Sequence, residues 1–286
     1  MQLKNLFRKK NRHSTRILIA GAPKSGTTAL YYKIKAALPP ESDGYFEEQH
    51  PGKIEQRSSY TGNPVLAKIV LIDKELVRNH SFFSHQILMI RDPRDLVISA
   101  LLYESGYHAI WNEPEETIRN HIQQLQQKEA DKNAFSVRSL WKQMAGPSLS
   151  FNEFRKRLEY VRDLQEKAAV FPFYYEDLIQ ENFAELEQFI GYSLNDQTVV
   201  PKEHERVVRS KGSGNWRNWF TAEDVDFFHE LFGDILEYFY PGKSSDWHLK
   251  EKEVIPAKQS SAYVLRLVNE RRRLKGMPEI NLPLAV

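Results

Sequence analysis

The sequence predicts a single α/β domain with a central parallel sheet and helices on both faces. Two short and mainly apolar segments, residues 17–19 and 86–90, are too short for helices and suit buried parallel strands. Each segment is followed by signals for the start of a helix. A Gly-containing turn and Thr27 follow the first segment, and Asp92 and Pro93 follow the second. At 286 residues the chain is long enough to bury one large core.

The loop between the first strand and the first helix has the composition of an anion site. Gly21 and Gly26 permit unusual backbone dihedrals and a close approach of the backbone to a ligand. Thr27 and Thr28 open the helix, so their N–H groups have no partner within it and point into the loop. Lys24 adds a positive charge. The loop therefore predicts a site for a phosphate-like group.

This loop differs from the nucleoside-triphosphate loop in the place of its lysine. The spacing of Gly21 and Gly26 satisfies G-x-x-x-x-G, but that motif continues with Lys and then Ser or Thr. Here Thr27 follows Gly26, and the lysine lies inside the loop at Lys24. A lysine in this position stands beside a shorter anion than a triphosphate.

A second candidate site segment follows the first helix, which is predicted over residues 27–38. Residues 45–46 begin a short extended piece that runs into Glu47, Glu48 and His50. Segments that leave the carboxyl ends of parallel strands line the binding crevice of such sheets. This acidic and His-containing run is therefore the candidate for a general base.

The next two predicted strands carry charged residues. The strand over residues 65–72 contains Lys68 among aliphatic side chains. After strand 86–90, Arg91 stands at the strand end, and Ser99 lies about two turns into the helix that Asp92 caps. Arg91 and Ser99 could both approach one anion, because Arg offers a planar fork of donors and Ser a hydroxyl.

The remaining chain is predicted to be mostly helical. Residues 101–167 form a helical cover at one end of the sheet, with a break at residues 146–148. A last strand is predicted over residues 168–175 and a helix over 183–190. Three further helices are expected, and they span residues 73–78, 222–240 and 261–274. Thr221 is predicted to cap the second of them.

Four stretches resemble the sulfotransferase family, whose sulfuryl donor is 3′-phosphoadenosine 5′-phosphosulfate (PAPS). P-K-S-G-T-T at residues 23–28 is similar to the family's 5′-phosphosulfate loop, and R-D-P-R-D-x-x-x-S at 91–99 to its 3′-phosphate site. Y-E-D-L at 175–178 and R-S-K-G-S-G-N-W-R-N-W-F-T at 209–221 match two further family motifs. The resemblance covers about residues 16–240 and implies a P-loop-like architecture with PAPS as donor and 3′-phosphoadenosine 5′-phosphate (PAP) as product.

The resemblance also implies roles for residues at the matching positions. The N–H groups of the 5′-phosphate loop bind the donor, and Lys24 stabilises charge on the leaving phosphate. The loop's other members are Ser25, Gly26, Thr27 and Thr28. The matching positions assign the 3′-phosphate to Arg91, Ser99 and Arg209, the adenine to Tyr175, and the closing loop to Gly212. Ser210 and Lys211 stand where the family has Lys and Gly, so Lys211 would replace the motif's lysine one position later.

The chain departs from the family pattern where many members have K-T-H, with the histidine as base. Lys68 could match that lysine, but Ile69 and Val70 replace the other two residues. The base role therefore passes to Glu48, the second glutamate of an F-E-E like that of some glycan-directed members, or to His50. Asn215 also replaces the aspartate of the last motif.

Composition excludes several other classes of protein. The net charge of +2 argues against a nucleic-acid binder, and the absence of cysteine excludes disulfides and thiolate metal sites. No metal is predicted. We found no stretch of about 18 apolar residues that could cross a membrane, and the basic residues 1–13 lack the apolar segment of a secretory signal. A cytoplasmic location is therefore the expectation.

The sequence as a whole predicts a PAPS-dependent sulfotransferase that acts on a hydroxyl or amine of a small-molecule or glycan acceptor. The predicted division is a basic tail at 1–13, the sulfotransferase domain at 14–245 and a helical extension at 246–286. Two alternatives stay open: a P-loop kinase of a small molecule, which would need ATP and Mg²⁺, and a non-catalytic nucleotide-binding module.

Overall fold

In the computed structural model, the described residues are 15–48, 51–58, 62–70, 82–144, 150–167, 169–194, 201, 204, 212–243, 245–250 and 254–282. The chain divides into two compact units. The first unit contains residues 1–91 and 159–204, and the second contains residues 92–158 and 205–286. The domain boundaries expected from the sequence stay a prediction.

The first unit is built on one parallel sheet of five strands in the order β2-β3-β1-β4-β5. The strands are β1 (Arg16–Gly21), β2 (Asp43–Phe46), β3 (Val65–Val70), β4 (His85–Ile90) and β5 (Phe171–Tyr174). Its helices are α1 (Thr27–Ala37), α2 (Pro51–Ser58), α7 (Tyr175–Gln180) and α8 (Ala184–Ile190). The predicted parallel sheet is confirmed, and β1 lies at its centre, as a continuous apolar run requires.

Helices cover both faces of this sheet. Ile17 and Ile19 of β1 pack in one cluster with residues of α1 and α8. Leu18 points to the opposite face and packs with Ile54 of α2. This alternation follows from the two-residue period of a strand.

The second unit is helical in its described part. It contains α3 (Pro93–Tyr103), a π-helix (Glu104–Ala109), α4 (Glu115–Ala130), α5 (Val137–Met144), α9 (Trp216–Trp219), α10 (Ala222–Phe239), a 3₁₀ turn (Ala257–Gln259) and α11 (Ser261–Leu274). Helix α6 (Phe151–Lys167) begins in this unit and ends in the first. Among the described helices, none is long and apolar enough to cross a membrane.

Most predicted element ends agree with the structure within one or two residues. Asp92 caps α3 and Thr221 caps α10, both as expected. Tyr175 is a correction, because the strand ends at Tyr174 and Tyr175 begins α7. Two acidic residues in the first turn of α7 favour a helix start there. The helix predicted at 73–78 and the end of the strand at 71–72 lie outside the described residues.

The C-terminal helix packs closely against the π-helix that continues α3. A Cβ added to Gly106 would lie 3.0 Å from Leu267 Cβ and 3.0 Å from the Val264 carbonyl oxygen. The absence of a side chain at Gly106 therefore lets α11 approach the π-helix backbone, a packing feature that the sequence did not predict.

A buried lysine makes the stability of the second unit sensitive to pH. Lys128 is fully buried and donates to the carbonyl oxygens of Lys132 and Phe135, each at 2.6 Å. Burial lowers the pKa of Lys128 to about 8, against an opposing effect of the Asp224 carboxylate. Between pH 8 and its unfolded pKa of 10.5, the unfolded chain therefore binds more protons than the native one.

We expect this difference to raise the free energy of unfolding with pH, by up to about 3 kcal/mol. Lys128→Met lacks the titrating group. The free energy of unfolding of wild type, minus that of this variant, should therefore rise from pH 8 to 10.5. Urea unfolding at several pH values measures this difference in the free energy of unfolding. Parallel pH profiles of the two proteins would contradict the prediction.

Candidate active site

The loop from β1 to α1 is tightly folded. The Ser25 N–H donates to the Ala22 carbonyl oxygen at 3.1 Å, and Gly26 stands before α1 with a φ of 104°. Lys24 has a φ of 70°, which is unusual for a residue with a side chain. Backbone strain of this kind concentrates at functional sites.

Both glycines of the loop are required by close contacts. A Cβ added to Gly21 would lie 2.7 Å from Ser25 Oγ and 2.8 Å from Met89 Cβ. A Cβ added to Gly26 would lie 2.8 Å from Cδ2 of Tyr175. The loop is thus packed against β4 and the start of α7.

We expect Gly26→Ala to lower the free energy of unfolding by about 3 kcal/mol, since it combines left-handed strain with a clash against Tyr175. Gly191→Ala is the matched control, because Gly191 has a φ of 74° and no described atom within 4 Å of an added Cβ. The control should lose about 1 kcal/mol. Equal losses in chemical denaturation would show that the contact with Tyr175 has no energetic role.

The loop presents donors that suit an anion. Ser25 is 1% exposed, and its Oγ has no hydrogen-bond partner among the described residues. Thr27 and Thr28 are also buried, and the first turn of α1 contains no acidic side chain. A buried polar atom without a partner is rare in a native protein, and a bound anion beside Ser25 would supply the missing bond. The loop therefore fits a bound phosphate group.

Arg91 joins this loop to β4 and α7. One terminal guanidinium nitrogen donates to the Lys24 carbonyl oxygen at 2.8 Å, and the guanidinium carbon lies 4.1 Å from the centre of the Tyr175 ring. Its Nε is buried and has no hydrogen-bond partner in the described part of the chain. The structure thus brings together the predicted residues Lys24, Gly26, Arg91 and Tyr175.

An ion pair that contains a buried lysine follows β2 and was missed in the sequence. Lys68 is 1% exposed, its Nζ lies 2.5 Å from Glu47 Oε1, and it stands 4.1 Å from the centre of the Phe46 ring. Glu47 has a φ of 59°, and its N–H donates to the Lys68 carbonyl oxygen at 3.0 Å. A lysine within an aliphatic strand signals that a carboxylate partner is needed, but not which one.

The predicted base Glu48 lies beside this pair in the chain and near a different cation. Glu48 Oε2 is 3.9 Å from a guanidinium nitrogen of Arg57, and the Glu48 side chain is 22% exposed. The rival base, His50, lies outside the described residues. The choice between them stays a prediction.

The other predicted donor-binding residues belong to the second unit. Ser99 is buried in α3, and Gly212 lies four residues before α9. Arg209 and Lys211 lie outside the described residues. Two features beside the predicted arginine were not foreseen. The carboxylate of the predicted cap Asp92 also holds the Arg94 guanidinium through contacts of 2.7 and 3.0 Å, and Asp95 is fully buried.

Within the described residues, no group of three or more His, Asp or Glu side chains is placed to hold a metal ion. This observation concerns only those residues.

Comparisons with known proteins place the chain in a family. No curated protein sequence matches it. Solved structures that match include mouse sulfotransferase SULT7A1 complexed with PAP, at 14% identity and a TM-score of 0.47, over 78% of this chain and 85% of that one. The family model described as the sulfotransferase domain matches residues 14–201. This match covers more than half of the chain, which therefore belongs to the sulfotransferase domain family.

Proposed function

We propose that this protein transfers a sulfuryl group from PAPS to a hydroxyl or amine of a small-molecule or glycan acceptor, with PAP as product. The observation that carries the proposal is the loop of residues 21–28, with its buried, unpartnered Ser25 hydroxyl and its bond from Arg91. In a sulfotransferase domain, this loop is the place for the donor's 5′-phosphate. PAPS supplies the activated sulfuryl group, and the protein binds, orients and stabilises charge.

The loop residues hold the phosphate and stabilise its developing charge. N–H groups of residues 26–28 and the Ser25 hydroxyl serve the anion at the start of α1, where the helix dipole also favours negative charge. The Ser25 N–H is not one of these donors, because it donates to the Ala22 carbonyl oxygen. The Lys24 ammonium stabilises the charge that grows on the leaving phosphate oxygen. Hydrogen-bond donors whose orientation is fixed before the reaction stabilise a developing charge most strongly at such a position.

Arg91 is proposed to recognise the 3′-phosphate. Its bond to the Lys24 carbonyl and its packing on Tyr175 fix the guanidinium plane, and the unpartnered Nε is a donor for an anion. The roles of Ser99, Tyr175, Gly212, Arg209 and Lys211 toward the donor rest on the sequence resemblance and stay predictions.

The general base is proposed to be Glu48, with His50 as the alternative. It removes the acceptor's proton as the oxygen or nitrogen attacks. Glu47 is the poorer candidate, because its carboxylate already binds the buried Lys68 ammonium.

Calorimetric titration with PAP, ADP and ATP–Mg²⁺ tests the proposal. We expect tight binding of PAP only, and a loss of about 100-fold in Arg91→Ala, because a charge-assisted phosphate contact is removed from a buried site. The control is Arg119→Ala, which removes an exposed arginine paired with Glu115 and should bind PAP like wild type. Preference for ATP–Mg²⁺ would contradict the sulfotransferase and favour the kinase.

A second result separates the enzyme from a non-catalytic module. Glu48→Gln should retain PAP binding and lose turnover if Glu48 is the base. PAP binding without any turnover by the wild-type protein on a broad acceptor screen would favour the module.

A further inference from the structure

The carboxylate of Asp95 is bonded to the backbone of the loop before α9. Asp95 Oδ2 accepts the Gly214 N–H at 2.5 Å, and Oδ1 accepts the Trp216 N–H at 3.0 Å. The two bonds lie on either side of Asn215, so one side chain fixes the course of three consecutive loop residues. Asp95 is fully buried, in the first turn of α3.

A second set of contacts fixes the end of the same loop. The Arg94 guanidinium carbon lies 4.2 Å from the centre of the Trp216 ring, and that of Arg217 lies 4.4 Å from it. Arg94 donates to the Asp246 carbonyl oxygen at 2.6 Å, and Arg217 binds the Asp246 carboxylate at 2.5 Å. Trp216 is thus held between two arginines that are themselves anchored.

The bonds to this loop give a physical reason for the burial of the Asp95 carboxylate. A buried carboxylate is costly unless hydrogen bonds replace its hydration. The two backbone N–H groups and the N-terminus of α3 provide that compensation. An aspartate oxygen accepts at both positions, whereas an asparagine would set its NH₂ group against one N–H. The negative charge of Asp95 therefore stabilises this conformation of the loop.

We propose that Asp95 is a positioning residue that holds the loop of residues 212–216 in its nucleotide-binding conformation. The inference rests on the proposed function, in which the segment containing Gly212 binds the 3′-phosphorylated end of the donor. Asp95 does not contact the donor. Its bonds order the loop before binding, so that the ordering entropy does not weaken the affinity.

The first test compares PAP with adenosine 5′-monophosphate (AMP), which differs from PAP only by lacking the 3′-phosphate. We expect Asp95→Asn to bind PAP about tenfold more weakly and AMP with unchanged affinity, because a positioning bond of this kind contributes roughly one factor of ten. Calorimetry gives both constants. A wild-type ratio of the two affinities in Asp95→Asn would overturn the inference.

Asp224→Asn is the matched control. Asp224 is also fully buried and also accepts backbone N–H groups, those of Val137 at 2.8 Å, Arg138 at 2.9 Å and Thr221 at 2.9 Å. It should lose stability like Asp95→Asn but keep the wild-type ratio of PAP to AMP affinity. A similar fall of the ratio in Asp224→Asn would show a general structural effect and overturn the inference.

A second pair of variants leaves the carboxylate intact. Gly214 and Gly242 have φ values of 76° and 79°, and an added Cβ would meet no described atom within 4 Å at either position. Alanine therefore introduces the same strain at both. Gly214→Ala should lower the PAP to AMP ratio, because it turns the N–H away from Asp95, while Gly242→Ala should not. Equal ratios in the two variants would count against the role of the bond.

Hydrogen exchange in the ligand-free protein separates this inference from the proposed function. Asp95→Asn should speed exchange of the Gly214 and Trp216 amides about tenfold or more, without any nucleotide present. Unchanged exchange would overturn the positioning role even if PAP binds well. If wild-type protein shows no preference for PAP over AMP, the proposed function fails, and the nucleotide role of Asp95 fails with it.

Discussion

Lys24→Met is expected to lower kcat for sulfuryl transfer by about 100-fold to 1000-fold, the range found when one preorganised donor to a developing oxyanion is removed. The proposed role of the Lys24 ammonium is to stabilise the charge on the leaving phosphate oxygen. Methionine is unbranched and only one atom shorter than lysine, and it removes the charge. Single-turnover kinetics with saturating PAPS and acceptor measures the effect on the chemical step.

Lys24→Gly separates the charge from the backbone. Lys24 has a φ of 70°, a conformation that glycine adopts without strain. The glycine variant should therefore lose kcat as methionine does, yet show a free energy of unfolding equal to or above that of wild type. Wild-type turnover in either variant would contradict the catalytic role of Lys24, and a fall in stability of the glycine variant would contradict the strained backbone.

Glu47→Ala is expected to lower the free energy of unfolding by about 3 kcal/mol, because it leaves the Lys68 ammonium buried without its carboxylate. Lys68 is 1% exposed, whereas the Glu47 side chain is 52% exposed. Lys68→Met should therefore lower the free energy of unfolding by less, because the exposed Glu47 carboxylate remains in contact with water. We expect the free energy of unfolding of that variant to lie within about 1 kcal/mol of the wild-type value.

The double variant completes this test. Glu47→Ala combined with Lys68→Met should recover most of the stability that Glu47→Ala loses, since no buried charge remains. Glu48→Ala is the matched single control, because Arg57, a cation with which Glu48 pairs, is 65% exposed and lies 3.9 Å away. Equal losses in the free energy of unfolding for Glu47→Ala and Glu48→Ala, measured with urea, would contradict the prediction that Glu47 stabilises the buried Lys68 ammonium.

Local signals in the sequence were enough for the main elements and for the loop. An apolar run, two glycines and two threonines determine a strand, a turn and a helix start, because each acts through neighbours in the chain. Asp92 before Pro93 and Thr221 before α10 were predicted as caps for the same reason, and both are confirmed. The family, too, was readable from short motifs, and the match over residues 14–201 confirms it.

Only the tertiary structure decided which distant groups meet. The sequence marks Lys68 and Gly26 as unusual and places Asp95 in a family motif, but their partners Glu47, Tyr175 and Gly214 lie 21, 149 and 119 positions away. Such pairings depend on the order of strands and the packing of helices, which no local pattern specifies. The strand order β2-β3-β1-β4-β5 sets Phe46 beside Lys68 in neighbouring strands, so that Glu47, the next residue, meets the lysine. The anion-binding loop was thus determined by local sequence, whereas the contacts that hold its surroundings were determined by the fold.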